Sequence, residues 1–139
     1  MLTIYGHPIS SYTWKVLAAL YENDTPFEPR LLNLGDPAER GVLVALWPIA
    51  KFPVLRDGER VVPEASIIID YLAQHHAGRT ALIPADPDEA RSVRLKDRFY
   101  DLYVHDPMQR ITIPDILRAM EDQTTGKFLV SDFVPVPCC

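Results

Sequence analysis

Apolar and polar positions at the start of the chain predict a strand, a helix and a second strand. Leu2 to Tyr5 is a short β-prone run, and Gly6 and Pro8 interrupt it. Residues 12–21 then have helical spacing, and 28–34 predicts the second strand. Four residues of the helix share the face expected to be buried: Trp14, Leu17, Ala18 and Tyr21. We therefore expect a βαβ unit.

A second helix and a hairpin follow this unit. Asp36, Pro37 and Glu39 supply an N-cap, a first-turn proline and an acid at the third helical position. Strands over 53–56 and 59–62 then flank Asp57-Gly58, a pair that favours a tight antiparallel turn.

A third helix is predicted from Glu64 to His75. Its apolar stripe contains Ile67, Ile68, Tyr71, Leu72 and His75. The resulting order, βαβαββα over residues 1–77, predicts an α/β domain with the thioredoxin-like arrangement.

Residues 78–85 have few periodic positions and are expected to form a linker to a helical region, 86–139. Asp86 is followed by a proline and an acid at the third helical position, as Asp36 is, and is therefore expected to cap a helix. Pro107 is expected to end the helix that begins after Asp86. Its apolar stripe contains Leu95, Phe99, Leu102 and Tyr103. Past Arg110 the pattern weakens, and one short helix is expected over 114–123.

Composition and charge limit the classes of function. The 139 residues carry a net charge of -5 and are 47% hydrophobic, which is typical of a globular protein. The basic residues are scattered, which argues against nucleic-acid and membrane partners. The longest apolar run, 42–47, is far too short to span a membrane, and we expect a cytoplasmic protein. The two cysteines, Cys138 and Cys139, form no C-x-x-C pair.

Ser10 and Ser11 lie where the first strand leads into the first helix. A helix N-terminus offers unpaired N–H groups and partial positive charge, so a hydroxyl there could help to hold a thiolate or another anion. The plainer interpretation is that one serine caps the helix. No G-x-S-x-G or G-x-x-x-x-G-K motif is present, so a serine hydrolase and a P-loop enzyme are disfavoured.

The stretch Lys51-Phe52-Pro53 places a proline at the head of a strand. Because proline has no N–H, the preceding residue can keep its backbone groups for an outside partner. A cis Phe52–Pro53 bond would present them to an extended peptide, whereas an ordinary trans bond is the commoner case.

Glu64, Ala65 and Ser66 open the third helix. The first N–H groups of the helix could bind a ligand carboxylate while Glu64 binds an ammonium, as the two ends of an amino acid would require. Alternatively, Glu64 complements the helix dipole and Ser66 caps the helix, with no ligand involved.

Two other features carry less chemistry. Thr112 to Asp115 has the pattern of a capping box and is expected to open a helix. The histidines, His7, His75, His76 and His105, lack the spacing of a metal site, so no metal is expected.

The order of these motifs resembles the glutathione transferase family. SSYTWKVLAAL is similar to the Ser-Ser-Cys-Ser-Trp-Arg-Val turn of the zeta class, and Phe-Pro-Val-Leu followed by Glu-Ala-Ser has the spacing of the family. The resemblance covers residues 1 to about 110. It implies a thioredoxin-like glutathione-binding domain followed by an incomplete all-α domain.

The resemblance also implies roles for individual residues. Ser10, five residues before Lys15, would donate to the glutathione thiolate, with Ser11 as the alternative. Phe52, before Pro53, would pair through its backbone with the cysteinyl unit, and Lys51 is placed to reach a carboxylate of the peptide. Glu64 and the following residue would hold the γ-glutamyl end. Ala65 lacks the usual hydroxyl there, which leaves its N–H and Ser66.

The implied function is that of a cytoplasmic, dimeric detoxification enzyme, a transferase that attacks a small electrophile with glutathione as co-substrate. A zeta-like glutathione-dependent isomerase is one alternative, and a non-catalytic domain that at most binds glutathione or a protein partner is another. Relatives would continue through more helices, so the apolar stripe that begins at Leu95 is expected to lack packing partners. After Arg110 either a piece has been lost or the sequence is unrelated.

Overall fold

A computed structural model describes residues 1–33 and 35–124 of the chain. The elements of its first part are β1 (Leu2–Gly6), α1 (Ser11–Glu22), β2 (Phe27–Leu31), α2 (Pro37–Leu46), β3 (Val54–Asp57), β4 (Arg60–Pro63) and α3 (Ala65–His75). The predicted order βαβαββα is therefore confirmed.

The four strands form one mixed sheet in the order β2-β1-β3-β4. β1 pairs in parallel with β2 and antiparallel with β3, and β3 pairs antiparallel with β4. A parallel pair needs a helical crossover, which α1 supplies, whereas the hairpin needs only a tight turn. This is the thioredoxin-like arrangement expected from the sequence.

Helices cover both faces of the sheet, because successive strand residues point to opposite sides. One core joins β1 and β3 to α1 and α3, and its members larger than alanine are Leu2, Ile4, Val16, Leu20, Leu55, Ile68 and Leu72. The other core joins the sheet to α2 and consists of Tyr5, Leu32, Leu43 and Val54. The alternation of Leu55 and Val54 between the two cores fixes the register of β3.

The buried face of α1 differs from the predicted one. Thr13, Val16, Ala19 and Leu20 are buried, whereas Trp14 is 59% and Tyr21 64% exposed. On the surface, the indole N–H of Trp14 donates to the Pro8 carbonyl at 2.7 Å. α1 is apolar on several sides, so spacing alone did not identify the face that packs on α3.

Strand and turn boundaries also shift. β2 ends at Leu31 rather than at 34, and the hairpin turn is Gly58-Glu59 rather than Asp57-Gly58. Gly58 adopts a φ of +59°, which only glycine adopts without strain. Asp57 belongs to the strand, where it pairs with Arg60.

The end of α1 holds the segment that follows α3. Asn23 accepts from the Thr80 N–H at 2.8 Å and donates to the Thr80 carbonyl at 3.0 Å. Gly78 lies so close to the Asn23 side chain that an added Cβ would be 2.5 Å away. The segment expected to be a linker is therefore fixed to α1 by paired hydrogen bonds.

The later helices are α4 (Pro87–Phe99), a π-helical segment (Tyr100–His105) and α5 (Asp106–Thr124). Asp86 caps α4 as predicted, since its carboxylate accepts from the N–H groups of Asp88 and Glu89. Two expectations are wrong: Pro107 does not end a helix, and Thr112 does not open one. The wider π turn leaves room for the Pro107 ring, and the Thr112 hydroxyl donates to the Met108 carbonyl one turn earlier. Residues 125–139, with Cys138 and Cys139, lie outside the described part.

The apolar stripe of these helices is exposed. Leu95 is 68%, Phe99 50%, Leu102 45% and Tyr103 69% exposed. Contacts divide the chain into two units, Met1–Val93 and Arg94–Cys139, and the stripe belongs to the second. Within the described residues, the stripe is therefore largely exposed, as expected from the sequence. No helix in the part described has the length and apolarity to cross a membrane.

A polar cluster ties the β3–β4 hairpin to the end of α3. Asp57 Oδ2 accepts from the Tyr71 hydroxyl at 2.9 Å and lies 2.8 Å from His76 Nε2. These hydrogen bonds, chiefly the one from His76, hold the pKa of Asp57 below its ordinary value. The ionised carboxylate is therefore the form that the folded state favours.

This cluster predicts a loss of stability in acid. A lowered folded-state pKa contributes stability above the unfolded-state pKa of about 3.9, and that contribution disappears as the pH falls through the folded-state pKa. Asp57→Asn should lower the free energy of unfolding by about 1 kcal/mol at pH 7, a modest value because the Asp57 side chain is 26% exposed. Urea unfolding at several pH values should show that the difference in free energy of unfolding between the unchanged protein and Asp57→Asn becomes smaller below about pH 4. A difference in stability that does not change with pH would contradict a stabilising role of the ionised Asp57 carboxylate.

Candidate active site

Three segments meet at one end of the sheet. Tyr5 pairs with Val54, and Val54 pairs with Pro63, so the end of β1, the start of β3 and the end of β4 lie side by side. The loop after β1, the residues before β3 and the first turn of α3 therefore converge there. The predicted site residues lie in these three segments.

Ser10 is the N-cap of α1, as the plainer interpretation of the two serines predicts. Its hydroxyl oxygen accepts from the Thr13 N–H at 3.2 Å, and its own N–H donates to the His7 carbonyl at 3.0 Å. Ser10 is only 6% exposed, whereas Ser11, the first residue of the helix, is exposed. Accepting the Thr13 hydrogen bond leaves the Ser10 O–H proton available for donation to another group.

Gly6 allows β1 to approach the first turn of α1 closely. A Cβ at Gly6 would lie 2.5 Å from Thr13 Cγ2 and 2.9 Å from Thr13 Oγ1. Thr13 is buried, and its hydroxyl accepts the His7 N–H at 3.4 Å. The orientation of the loop that carries Ser10 therefore depends on the absence of a side chain at position 6.

We expect Gly6→Ala to destabilise the protein by about 1–2 kcal/mol, because the added methyl overpacks a buried contact. Urea unfolding of Gly6→Ala, Thr13→Ala and the double variant measures the effect. Removal of the Thr13 side chain atoms should relieve the clash, so the double variant should be more stable than the sum of the two single losses predicts. If the two single losses of stability simply added in the double variant, the contact between position 6 and Thr13 would not be the cause of the destabilisation.

The segment before β3 has the cis geometry that was one of the two alternatives. The Phe52–Pro53 peptide bond is cis, which is the alternative that presents the Phe52 backbone to an outside partner, and the commoner trans form is not adopted. Pro53 is buried and Lys51 is exposed. The Phe52 ring stacks on the His7 ring, with the centroids 5.8 Å apart and the planes 27° apart.

α3 begins with an unusual backbone conformation at Glu64. Glu64 occupies the N-cap position with φ +69° and ψ 123°, and its side chain makes no capping hydrogen bond. A left-handed φ at a residue other than glycine costs about 1–3 kcal/mol and is concentrated at functional sites. Ser66 lies inside the helix, so the alternative in which Ser66 caps α3 is wrong. Ala65 is buried and Glu64 is exposed.

A hydrogen bond joins α1 to the first turn of α3. Lys15 Nζ donates to Ser66 Oγ at 3.1 Å, although the two residues are 51 positions apart in the sequence. A side-chain hydrogen bond therefore connects α1 and α3 close to the two N-termini that border the candidate site. Sequence analysis used Lys15 only to align the serines, because no local pattern reveals a contact of this range.

His7 is the second residue that sequence analysis missed. It was considered only as a metal ligand and set aside, yet it touches both Ser10 and Phe52. Its position in the loop after β1 was the one available signal. Within 1–33 and 35–124, no three His, Cys, Asp or Glu side chains gather in a way that could hold a metal ion.

Comparisons with known proteins identify the family. The family described as "Glutathione S-transferase, N-terminal domain" matches residues 4–80, more than half of the chain. The chain belongs to the glutathione S-transferase family. All of the candidate site residues lie within the matched range.

Individual relatives of this glutathione S-transferase family member cover more of it. A glutathione S-transferase of Pseudomonas putida is 36% identical over 107 residues, which are 77% of this chain and 47% of that protein. A probable maleylacetoacetate isomerase of Caenorhabditis elegans is 25% identical over 125 residues, 90% of this chain and 58% of that protein. A solved glutathione transferase homologue from Sulfitobacter with bound glutathione has a TM-score of 0.69 at 26% identity, covering 78% of this chain and 52% of that one. The chain thus spans about half the length of these relatives.

Proposed function

We propose that this chain binds glutathione and activates its thiol through the Ser10 hydroxyl for attack on a small electrophile. The convergence of two helix N-termini, one capped by Ser10 and the other preceded by the left-handed Glu64, is the observation that carries this proposal. Membership of the family supports glutathione as the co-substrate.

Ser10 would act as a hydrogen-bond donor to the thiolate. A free thiol has a pKa of about 8.5, and lowering it by two units requires about 2.7 kcal/mol of preferential stabilisation of the anion. One charge-assisted hydrogen bond supplies about 1.5–3 kcal/mol, and the N-terminus of α1 adds about 0.3–1 kcal/mol. An alcohol is too weak an acid to serve as the base, so the nucleophile belongs to glutathione.

The γ-glutamyl end would bind at the start of α3. Its carboxylate would accept from the N–H groups of Ala65 and Ser66, while its ammonium would pair with the Glu64 carboxylate. The left-handed φ of Glu64 turns the chain just before the helix and supports this arrangement. Ala65 offers no hydroxyl, so Ser66, held by Lys15, is the nearest side chain donor on the helix.

The remainder of the peptide would extend along the segment before β3. The backbone of Phe52 would pair with the cysteinyl unit, because Pro53 has no N–H and the strand pairing of β3 begins only at Val54. Lys51, exposed beside it, would reach the glycyl carboxylate.

Two tests decide this proposal. Calorimetric titration with glutathione should show binding, and a chloronitrobenzene should be conjugated faster than in solution. Absence of glutathione binding by the folded protein would overturn the proposal. Binding without conjugation would favour a non-catalytic domain that only binds glutathione.

A glutathione-dependent isomerase is the second candidate, and the likeness to the isomerase of Caenorhabditis elegans favours it. In such a reaction the glutathione sulfur would add to a carbon of a cis double bond, the resulting carbon–carbon single bond would rotate, and elimination of the sulfur would leave the trans double bond. Conversion of a cis-configured conjugated diketo acid to its trans isomer, with no glutathione consumed, would identify this activity.

A further inference from the structure

His7 links two parts of the candidate site. Its carbonyl accepts the Ser10 N–H at 3.0 Å, and its ring stacks on Phe52 at 5.8 Å. In the proposed function, Ser10 contacts the sulfur of glutathione and Phe52 contacts the cysteinyl backbone. Through its backbone and its ring, His7 therefore contacts both the residue proposed to hold the sulfur and the residue proposed to hold the cysteinyl unit.

A hydrogen bond fixes which ring nitrogen of His7 carries the proton. The Ile9 N–H donates to His7 Nδ1 at 3.2 Å, so Nδ1 is an acceptor and the neutral ring carries its hydrogen on Nε2. Among the residues that the structure describes, Nε2 has no hydrogen-bond partner. His7 is half-buried, so the loop and the Phe52 ring hold an available donor in a defined position.

We propose that His7 Nε2–H donates a hydrogen bond to the electrophile, at an oxygen that becomes negatively charged as the glutathione sulfur attacks. This inference rests on the proposed function and adds a catalytic residue to it. A donor placed at a developing oxyanion lowers the barrier, because it binds the transition state more strongly than the ground state. An α,β-unsaturated ketone is a suitable probe, because addition of the sulfur places negative charge on its carbonyl oxygen.

The bond changes define what His7 does. The thiolate sulfur forms a bond to the β-carbon, the π pair of the C=C bond moves to join the α-carbon to the carbonyl carbon, and the carbonyl π pair moves onto oxygen. The enolate oxygen accepts the hydrogen bond from Nε2–H. A proton from water then reaches the α-carbon and restores the carbonyl, so His7 ends the step with its own proton.

An alkyl iodide provides an internal comparison. In its displacement the sulfur–carbon bond forms as the carbon–iodine bond breaks, and iodide leaves with the electron pair. No oxygen gains charge, so a donor at His7 has nothing to stabilise. The two electrophiles consequently separate loss of this hydrogen bond from general damage to the site.

The test compares His7→Phe with the unchanged protein. Phenylalanine keeps a ring for stacking on Phe52 and removes the N–H. The value of kcat/KM for methyl vinyl ketone should fall about 10- to 100-fold, while kcat/KM for iodomethane and the KM for glutathione stay within about twofold. His7→Gln, which restores an N–H donor, should recover part of the lost rate with the ketone. Phe52→Leu, which removes the stacking partner of His7, should lower kcat/KM for the ketone more than kcat/KM for iodomethane, because the donor loses its support.

Three results would overturn the inference. If His7→Phe lowered kcat/KM equally for both electrophiles, His7 would only support the structure. If kcat/KM were unchanged for both, His7 would play no part in the reaction. Turnover of neither electrophile by a wild-type protein that binds glutathione would remove the catalytic role of His7 and leave binding intact. Failure to bind glutathione would instead refute the proposed function itself.

Discussion

Replacing Ser10 by alanine should lower the rate of conjugation of a chloronitrobenzene about 10- to 100-fold. The expected loss equals that of one charge-assisted hydrogen bond to the thiolate, about 1.5–3 kcal/mol. The pKa of the bound thiol should rise accordingly, which the ultraviolet absorbance of the thiolate measures as a function of pH. The affinity for S-methylglutathione, which has no thiol to ionise, should not change.

The controls separate chemistry from folding. Ser10 also caps α1, so alanine removes a cap worth about 1 kcal/mol of stability. Ser10→Thr keeps both the hydroxyl and the cap and should retain most of the rate. Ser11→Ala should leave the rate unchanged, and a loss in Ser11→Ala instead of Ser10→Ala would assign the donor role to Ser11.

Replacing Glu64 by glutamine should weaken glutathione binding about 10- to 100-fold, because the ammonium of the γ-glutamyl end loses its charged partner. Calorimetric titration measures the affinity, and S-methylglutathione should be affected equally, in contrast to Ser10→Ala. The matched control is Glu59→Gln, an exposed acid in the hairpin turn. Unchanged affinity in Glu64→Gln would place the ammonium elsewhere.

Sequence patterns predicted the elements of the first 75 residues better than the faces of these elements. The bounds of α1 were correct within a residue, yet Trp14 and Tyr21 are exposed while Val16 and Leu20 fill the core. A helix that is apolar on several sides offers more than one face, and packing on α3 decides between them. The face of α3 was predicted only in part: Ile68 and Leu72 are buried as expected, whereas Ile67 is 56% exposed and His75 is exposed.

Capping residues predicted a helix start correctly where the apolar positions change from irregular to helical spacing. Asp36 and Asp86 each cap the predicted helix, because a proline follows directly and the residues before them are not periodic. Thr112 has similar chemistry but lies within a longer helix, where its hydroxyl bonds to a carbonyl of the preceding turn. The local pattern alone does not distinguish these two situations.

The candidate site was predictable as far as it depends on element order. Ser10, Pro53 and Glu64 come together because β1, β3 and β4 are neighbours in the sheet, and the βαβαββα order implied that neighbourhood. The bond from Lys15 to Ser66 and the stacking of His7 on Phe52 depend on side-chain placement across long sequence separations. Neither contact produces a periodic pattern in the sequence from which it could be predicted.

The strand order also determines which parts of the molecule open first. β1 and β3 are the interior strands, whereas β2 is an edge strand with four of its five residues exposed. Local opening at low free energy is typical of segments with few buried contacts, and interior strands exchange their amide hydrogens mainly through global unfolding. The loop with Ser10 and the segment with Pro53 are attached to those interior strands. Ser10 and Pro53 are therefore expected to keep their positions while β2 frays at the edge of the sheet.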